Sequence, residues 1–183
     1  MTGLHFMLIH FPIGLWSLAT LMIIVGALFS GRLAELSRAA LLPVLILSLL
    51  GALASIGTGI NIWPIEGSMT SSLTRNHILM ALWSFGLFTM LTVLVWQGGK
   101  SAFDGTRRWA LLILALTGGL LFGTTGTLGG YLVGAPTQFS LLLNALGWNL
   151  HYTFYSPNWV LAVMVIIGFL CAILGYRLQK SRV

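Results

Sequence analysis

The stretch His10-Phe11-Pro12-Ile13-Gly14-Leu15-Trp16 opens a long apolar run near the start of the chain. It places an imidazole, a proline and a glycine at the start of a segment that is otherwise almost entirely apolar. A ring that can bind a metal or carry a proton is costly in such surroundings, so His10 needs a chemical reason to be there. The fold class and the function both depend on how this histidine and the apolar run behind it fit with the rest of the chain.

The composition indicates an integral membrane protein. Of the 183 residues, 57% are hydrophobic and only 7% are charged, whereas a soluble domain has about 25% charged residues. Five apolar segments are long enough to cross a hydrocarbon core of about 30 Å as helices. The predicted fold is an all-α helical bundle with five transmembrane helices, approximately over residues 8–29, 39–63, 77–96, 109–133 and 159–176.

The basic residues are unevenly divided between the two sides of this predicted bundle. The first connection, the third connection and the C-terminus carry eight of the nine Lys and Arg residues, and Arg75 is alone on the other side. Because cytoplasmic loops are enriched in Lys and Arg, we predict a cytoplasmic C-terminus and an N-terminus outside. All four histidines then fall at the outer face: His5, His10, His77 and His151.

His10 and His77 lie on different predicted helices at nearly the same depth. At about 1.5 Å of rise per residue, they differ by roughly 3 Å in distance from the bilayer midplane. Two neutral imidazoles can fill both axial positions of a haem iron, and the single Cys171 excludes the paired thiols that attach a c-type haem. We therefore predict haem b with His10 and His77 as axial ligands. His151 and His5 are the substitute ligands.

Further residues on the outer side are predicted to contact this cofactor. Arg75, two residues before His77, can neutralise a haem propionate or a lipid phosphate. The fourth helix carries a stripe of glycines, which is typical of close helix packing and also offers a flat wall for a planar macrocycle: Gly119, Gly123, Gly126 and Gly130. Leucines and aromatic residues in 136–157 predict a short helix at the outer interface, which packs there, covers a cofactor site or docks another subunit.

Other function classes have less support in the sequence. It contains no nucleophile elbow, phosphate-cradling glycine loop or zinc-protease motif. No span has an acidic or basic residue near its middle, which counts against a proton-coupled transporter. No internal repeat is evident. Whether the chain is an enzyme stays open, and the pattern favours a non-catalytic electron-transfer subunit of an oxidoreductase complex.

Several short motifs together resemble a known family. They are His10-Phe11-Pro12-Ile13-Gly14, Thr58-Gly59, His77 and Gly129-Gly130-Tyr131-Leu132-Val133. They are similar to motifs of the bacterial membrane-protein family catalogued as domain of unknown function 2231, over about residues 4–135. The resemblance implies a four-helix plan, which matches the first four spans. Some relatives are fused to Rieske iron–sulfur or cytochrome domains, which implies redox work.

The chain also departs from this family in places. Relatives often carry a further histidine just after the glycines of the fourth helix, where this chain has Gly134-Ala135-Pro136. An acidic residue is common after the Thr-Gly of the second helix, and here Asn61 appears. A role carried by that further histidine is therefore missing or has moved, with His151 as the candidate.

These observations predict one membrane domain over 1–183, with a family-like core (1–135), an outer interfacial segment (136–157) and a fifth helix with a basic tail (158–183). The leading hypothesis is a small b-type haem subunit of the bacterial inner membrane, which passes electrons between the quinone pool and a periplasmic redox partner. The alternatives are a haem-free anchor or assembly subunit of a larger complex, and a metal- or proton-handling carrier. We expect no nucleic-acid partner, because the basic residues lie between apolar runs.

Overall fold

The computed structural model describes residues 2–62 and 70–149, with isolated residues between 152 and 173. In these ranges the chain forms five α-helices, with a 3-10 turn (Gly99–Ser101) after the third: α1 (Thr2–Leu28), α2 (Arg32–Ile62), α3 (Ser72–Gly98), α4 (Arg107–Leu132) and α5 (Gln138–Ala145). Helices α1 to α4 are each long and apolar enough to cross a membrane. The predicted all-α membrane fold and its first four spans are confirmed. The predicted fifth span lies mostly outside the described residues.

Helix α1 begins ahead of the apolar run that predicts it. It starts at Thr2, not near residue 8, and it continues through Pro12. Proline lacks an N–H and so removes one helical hydrogen bond, but it does not end the helix here. His5 therefore belongs to α1.

The helices alternate in direction, so that histidines lie at one end of the bundle and most of the described basic residues lie at the other. At the end called the histidine end, α1 and α3 begin and α2 and α4 finish. At the other, basic end, Arg38 donates from Nε and Nη2 to the carbonyl oxygen of Gly26 (2.9 and 2.6 Å). Its guanidinium also lies 5.5 Å from the centre of the Phe103 ring. Arg38 therefore ties the last turn of α1 to α2 and to the connection that follows α3.

The four long helices form a ring around an aromatic centre. Helix α1 packs against α2 and α4, and α3 packs against α4 and α2, so α1 and α3 are diagonal. Trp16 of α1 and Phe88 of α3 stack across the middle, with ring centroids 4.7 Å apart and planes inclined by 11°. Phe122 of α4 lies 6.1 Å from each of them. This aromatic group marks the central axis of the bundle.

The two helical hairpins, α1–α2 and α3–α4, bury equivalent positions. In α1 the positions are Pro12, Trp16, Ala19 and Ile23, and in α3 they are Ser84, Phe88, Leu91 and Val95, each seventy-two residues later. Leu41, Leu45 and Ser48 of α2 correspond in the same way to Leu111, Ala115 and Gly118 of α4, seventy residues later. The bundle therefore repeats one packing pattern, although the amino acids at most of these positions differ.

Candidate functional site

Two histidines at the histidine end are held by the second helix of their own hairpin. His5 Nδ1 lies 3.1 Å from the carbonyl oxygen of Ser55 and 3.1 Å from Thr58 Oγ1, both on α2. His77 Nδ1 lies 3.0 Å from the carbonyl oxygen of Thr125 on α4. Each ring thus reaches across to a backbone carbonyl of the neighbouring helix.

These contacts fix the tautomer of both rings. A carbonyl oxygen can only accept a hydrogen bond, so Nδ1 of His5 and of His77 must carry the proton. In a neutral imidazole the other nitrogen, Nε2, then has a free lone pair. Metal-bound histidines in proteins are commonly oriented by this same Nδ1–H to carbonyl bond. Both rings are therefore prepared to act as ligands through Nε2.

A glycine lies against each ring, in matching positions. A Cβ atom on Gly59 of α2 would lie 3.1 Å from His5 Cε1, and one on Gly129 of α4 would lie 3.2 Å from His77 Cε1. Each glycine follows the carbonyl that binds the ring by four residues, so it lies one helical turn farther along. A side chain at either position would crowd the imidazole.

The two rings lie on the faces of α1 and α3 that point to the bundle axis. His5 is eleven residues before Trp16, and His77 is eleven residues before Phe88. Eleven residues are three helical turns to within about 20°, so each histidine lies above an aromatic ring of the central stack. His5 and His77 therefore occupy equivalent positions on the axis-facing sides of the two diagonal helices.

The structure does not bring His10 to this pair. Its side chain is exposed, and its Nδ1 bonds the carbonyl oxygen of Phe6, one turn back on its own helix, at 2.7 Å. His10 is six residues before Trp16, which turns it about 120° away from the axial face. The prediction that His10 faces His77 used their similar depths but did not account for rotation about the helix axis. His5, and not His10, lies on the axis-facing side of α1.

Arg75, also predicted for the site, lies on another side of α3 from His77. Arg75 is half-buried in the first turn of α3, and its position is about 160° around the helix from His77. His151 lies outside the described residues.

Two of the four glycines in the α4 stripe, Gly123 and Gly130, lie against the segment that contains α5. A Cβ on Gly123 would meet Phe139 at 3.6 Å, and one on Gly130 would meet the carbonyl oxygen of Ala135 at 2.6 Å. Gly119 faces Thr20, and Gly126 has no neighbour within 4 Å of its Cβ position. The described structure thus uses Gly123 and Gly130 for close packing, while Gly129, outside the predicted stripe, contacts the histidine.

The site offers two imidazoles rather than a larger ligand set. Among the described residues, no three His, Cys, Asp or Glu side chains converge in a way that could hold a metal ion. Zinc sites in proteins generally use three or four protein ligands, whereas haem iron needs two at most. The donor set of the described residues fits haem better than zinc.

The spacing from histidine to aromatic residue could have identified His5 in the sequence. His5 to Trp16 and His77 to Phe88 are the same interval, and each interval is close to a whole number of helical turns. The Ser55 to Gly59 and Thr125 to Gly129 spacings repeat in the same way. These paired intervals show that helices of the two hairpins carry equivalent sites.

Comparison with known proteins identifies the family of the chain. The model of a family described as "Predicted membrane protein (DUF2231)" matches residues 2–136, which include both histidines and both contacting glycines. No curated protein and no solved structure matches the chain. With nearly three quarters of its length covered by that family model, the chain belongs to the DUF2231 family of predicted membrane proteins.

Proposed function

We propose that this protein is a small b-type haem subunit that transfers electrons in the membrane, with His5 and His77 as the two axial ligands. The observation that carries the proposal is the anchoring of both rings. Each Nδ1–H is bonded to a helix carbonyl, at 3.1 Å for His5 and 3.0 Å for His77. Both Nε2 atoms are therefore left for a ligand at the axis of the bundle, and two imidazoles suit a haem used for electron transfer.

The surroundings of the rings support a flat, apolar ligand. Gly59 and Gly129 place no side chain against the imidazoles, and each ring lies above an aromatic residue of the central stack, Trp16 or Phe88. A haem supplies the redox-active iron when bound, while this chain's residues hold the rings, set their tautomer and exclude water. Arg75 is the cation nearest in sequence to His77, and we assign it to the rim, where an anionic group reaches water.

The proposal places the pair at the periplasmic side of a bacterial inner membrane. Basic residues of the described connections lie at the opposite end of the bundle: Arg32, Arg38, Lys100, Arg107 and Arg108. This bias favours a cytoplasmic basic end. Electrons would then pass between the quinone pool in the bilayer and a periplasmic carrier, both within reach of a haem at that depth.

The test is an absorption spectrum of the detergent-purified protein, expressed with adequate haem supply. We expect a Soret band and a reduced spectrum of the b type with two nitrogen ligands. The double variant His5→Ala, His77→Ala should lose the haem. His10→Ala is the matched control, because this histidine is on the same helix but exposed, and it should keep the full spectrum. Reduction of the haem by a quinol, followed at the same bands, tests the electron donor.

Three results would overturn the proposal. A colourless wild-type protein that co-purifies with other membrane subunits would favour the haem-free anchor. A spectrum that survives loss of both His5 and His77 would place the haem elsewhere in the chain. Metal uptake by a colourless protein, lost in the same double variant, would favour the carrier.

A further inference from the structure

The connection between α3 and α4, at the basic end, is a compact turn fixed to the bundle by its own apolar residues. Ala102 and Phe103 are both buried. The Asp104 N–H donates to the carbonyl oxygen of Ser101 at 3.2 Å, and the Arg107 N–H donates to that of Asp104 at 3.1 Å. The polar residues of this turn are therefore held at a defined place beside the first turn of α4.

Three basic residues of this turn and of the start of α4 are exposed: Lys100, Arg107 and Arg108, called here the basic cluster. The Arg108 guanidinium lies 5.2 Å from the centre of the Trp109 ring. By contrast, the guanidinium of Arg38 at the same end is bonded to two carbonyl oxygens near the end of α1. The basic cluster is therefore the part of this end that can meet a partner.

The chain has too few carboxylates to neutralise the basic end. Its full sequence contains three acidic residues, and only Glu35 and Asp104 lie at this end. Five cations are described there: Arg32, Arg38, Lys100, Arg107 and Arg108. Two carboxylates can neutralise at most two of them, however the side chains pair, and the sequence after Asp104 adds basic but no acidic residues. The excess positive charge favours an anionic partner.

The surface beside the basic cluster is apolar. Trp96 near the end of α3 is 67% exposed, and Trp109 near the start of α4 is 43% exposed. Tryptophan is enriched where membrane helices meet the lipid headgroups, so the cluster lies at the level of the lipid phosphates. Leu116 and Leu120 are exposed seven and eleven residues after Trp109, which places all three on one face of α4. An apolar strip thus runs from the cluster into the bilayer.

We propose that the basic cluster binds the phosphate of an anionic phospholipid, whose acyl chains lie along Trp109, Leu116 and Leu120. Guanidinium groups can bond two phosphate oxygens at once, and an ammonium group binds phosphate as a point charge. Cations that adjoin an apolar strip favour a phospholipid over a soluble anion, which would use the cations alone. The inference rests on the membrane fold and the charge distribution, and it is independent of the haem proposal.

The experiment reconstitutes the full chain into phosphatidylcholine vesicles that contain a minor fraction of phosphatidylglycerol. Either lipid carries brominated chains, which quench tryptophan fluorescence on contact, and the local signal is the quenching that Trp109→Phe removes. Brominated phosphatidylglycerol should associate about fivefold or more tightly than brominated phosphatidylcholine, because one cation at an anionic surface contributes about that factor. The preference should shrink at about 1 M salt, where charges are screened beyond about 3 Å.

Variants test whether the preference is local. The triple variant Lys100→Gln, Arg107→Gln, Arg108→Gln should bring the preference below about twofold, because each cation lost removes a favourable contact. Arg32→Gln is the matched control for Arg107→Gln, since each removes one exposed guanidinium at the same end but from different hairpins. We expect Arg107→Gln to lower the preference at least about twofold more than Arg32→Gln does.

Three outcomes would overturn the proposal. Equal association of the two brominated lipids with the wild-type protein would do so without any variant. Equal losses in Arg32→Gln and Arg107→Gln would mean that the whole basic end attracts anionic lipid and that the cluster is no binding site. Displacement of brominated phosphatidylglycerol by inorganic phosphate, at constant ionic strength, would mean that the cluster binds phosphate without an acyl chain.

Discussion

The hairpins α1–α2 and α3–α4 each hold a histidine by the same kinds of contact, but they differ in how α5 covers them. In each, the first helix carries a histidine whose Nδ1–H bonds the second helix, and a glycine of the second helix lies against the ring. Only the α3–α4 hairpin is covered by α5 within the described structure. The two hairpins therefore hold equivalent histidines by the same contacts, but only one of them carries a further packed layer in the described structure.

The same contrast appears deeper in the bundle, where equivalent positions hold different residues. Ser48 of α2 and Gly118 of α4 correspond, and both are buried. A Cβ on Gly118 would lie 2.9 Å from both Leu87 and Phe88, whereas Ser48 has a Cβ and bonds the carbonyl oxygen of Leu45. The α3–α4 hairpin thus has no room for a Cβ at this position, whereas the α1–α2 hairpin accommodates one.

The largest effect is expected from Phe88→Ala. Phe88 is fully buried and stacks on Trp16 at the axis, so its removal leaves a cavity that both hairpins line. We expect a loss of about 3 kcal/mol in the free energy of unfolding, measured by denaturant titration in detergent. Trp83→Ala is the control on the same helix, because Trp83 is 51% exposed, and it should change stability by less than about 0.5 kcal/mol. Similar losses for both variants would mean that the stack does not join the hairpins.

The next effect compares the two glycines that touch the rings. Gly129→Ala and Gly59→Ala put a methyl group 3.2 Å and 3.1 Å from the imidazole Cε1 atoms. Among the described residues, packed neighbours flank His77 but not His5, so we expect Gly129→Ala to cost about 1–2 kcal/mol in unfolding free energy and Gly59→Ala distinctly less.

The controls for this pair lie on the same two helices. Among the described residues, no atom lies within 4 Å of the Cβ positions of Gly126 and Gly57. Because alanine favours a helix by about 1 kcal/mol over glycine, Gly126→Ala and Gly57→Ala should be neutral or stabilising. Equal losses at Gly59 and Gly129 would show that both rings are held with equal rigidity, against the difference in cover.

The fold was largely predictable from the sequence because many residues in each span contribute to the hydropathy that identifies it. Each of the four described spans contains many apolar residues, so an error at one position does not change the outcome, and the basic residues of the connections mark one end. Helix starts were less accurate. The helix extends beyond the apolar run when polar or terminal residues still form helical bonds, as Thr2 to Met7 do ahead of the predicted start of α1.

The site was only half predictable, since a site depends on direction as well as depth. Depth follows from the rise per residue, and it placed His10 and His77 at the same end of the bundle, where the structure also has them. Direction follows from rotation about the helix axis, and it separates His5 from His10 by about 140°. The Nδ1 bonds to Ser55 and Thr125 depend on how neighbouring helices pack, and no local pattern in α1 or α3 determines that.

A smaller effect should follow from weakening the cover itself with Thr137→Ala. Thr137 is the N-cap of α5, where its Oγ1 accepts from the Ser140 N–H (3.2 Å) and shares a hydrogen bond of 2.8 Å with Thr127 Oγ1. Its loss should destabilise α5 by about 1 kcal/mol and speed hydrogen exchange of the α5 amides. Thr106→Ala is the control, because Thr106 caps α4 without a side-chain hydrogen bond. Unchanged exchange in α5 would mean that Leu143, not the cap, holds this helix.

The smallest effect is expected from His10→Ala, and it bears most directly on which histidine of α1 belongs to the site. His10 is exposed and bonds only the Phe6 carbonyl one turn back, so its removal should change the unfolding free energy by less than about 0.5 kcal/mol. His5→Ala removes a ring that joins α1 to α2, so in the same cofactor-free protein it should lower the thermal unfolding midpoint more. If the two variants reverse this order, the stabilising ring of α1 faces outward, and the axial pairing of His5 with His77 loses its structural basis.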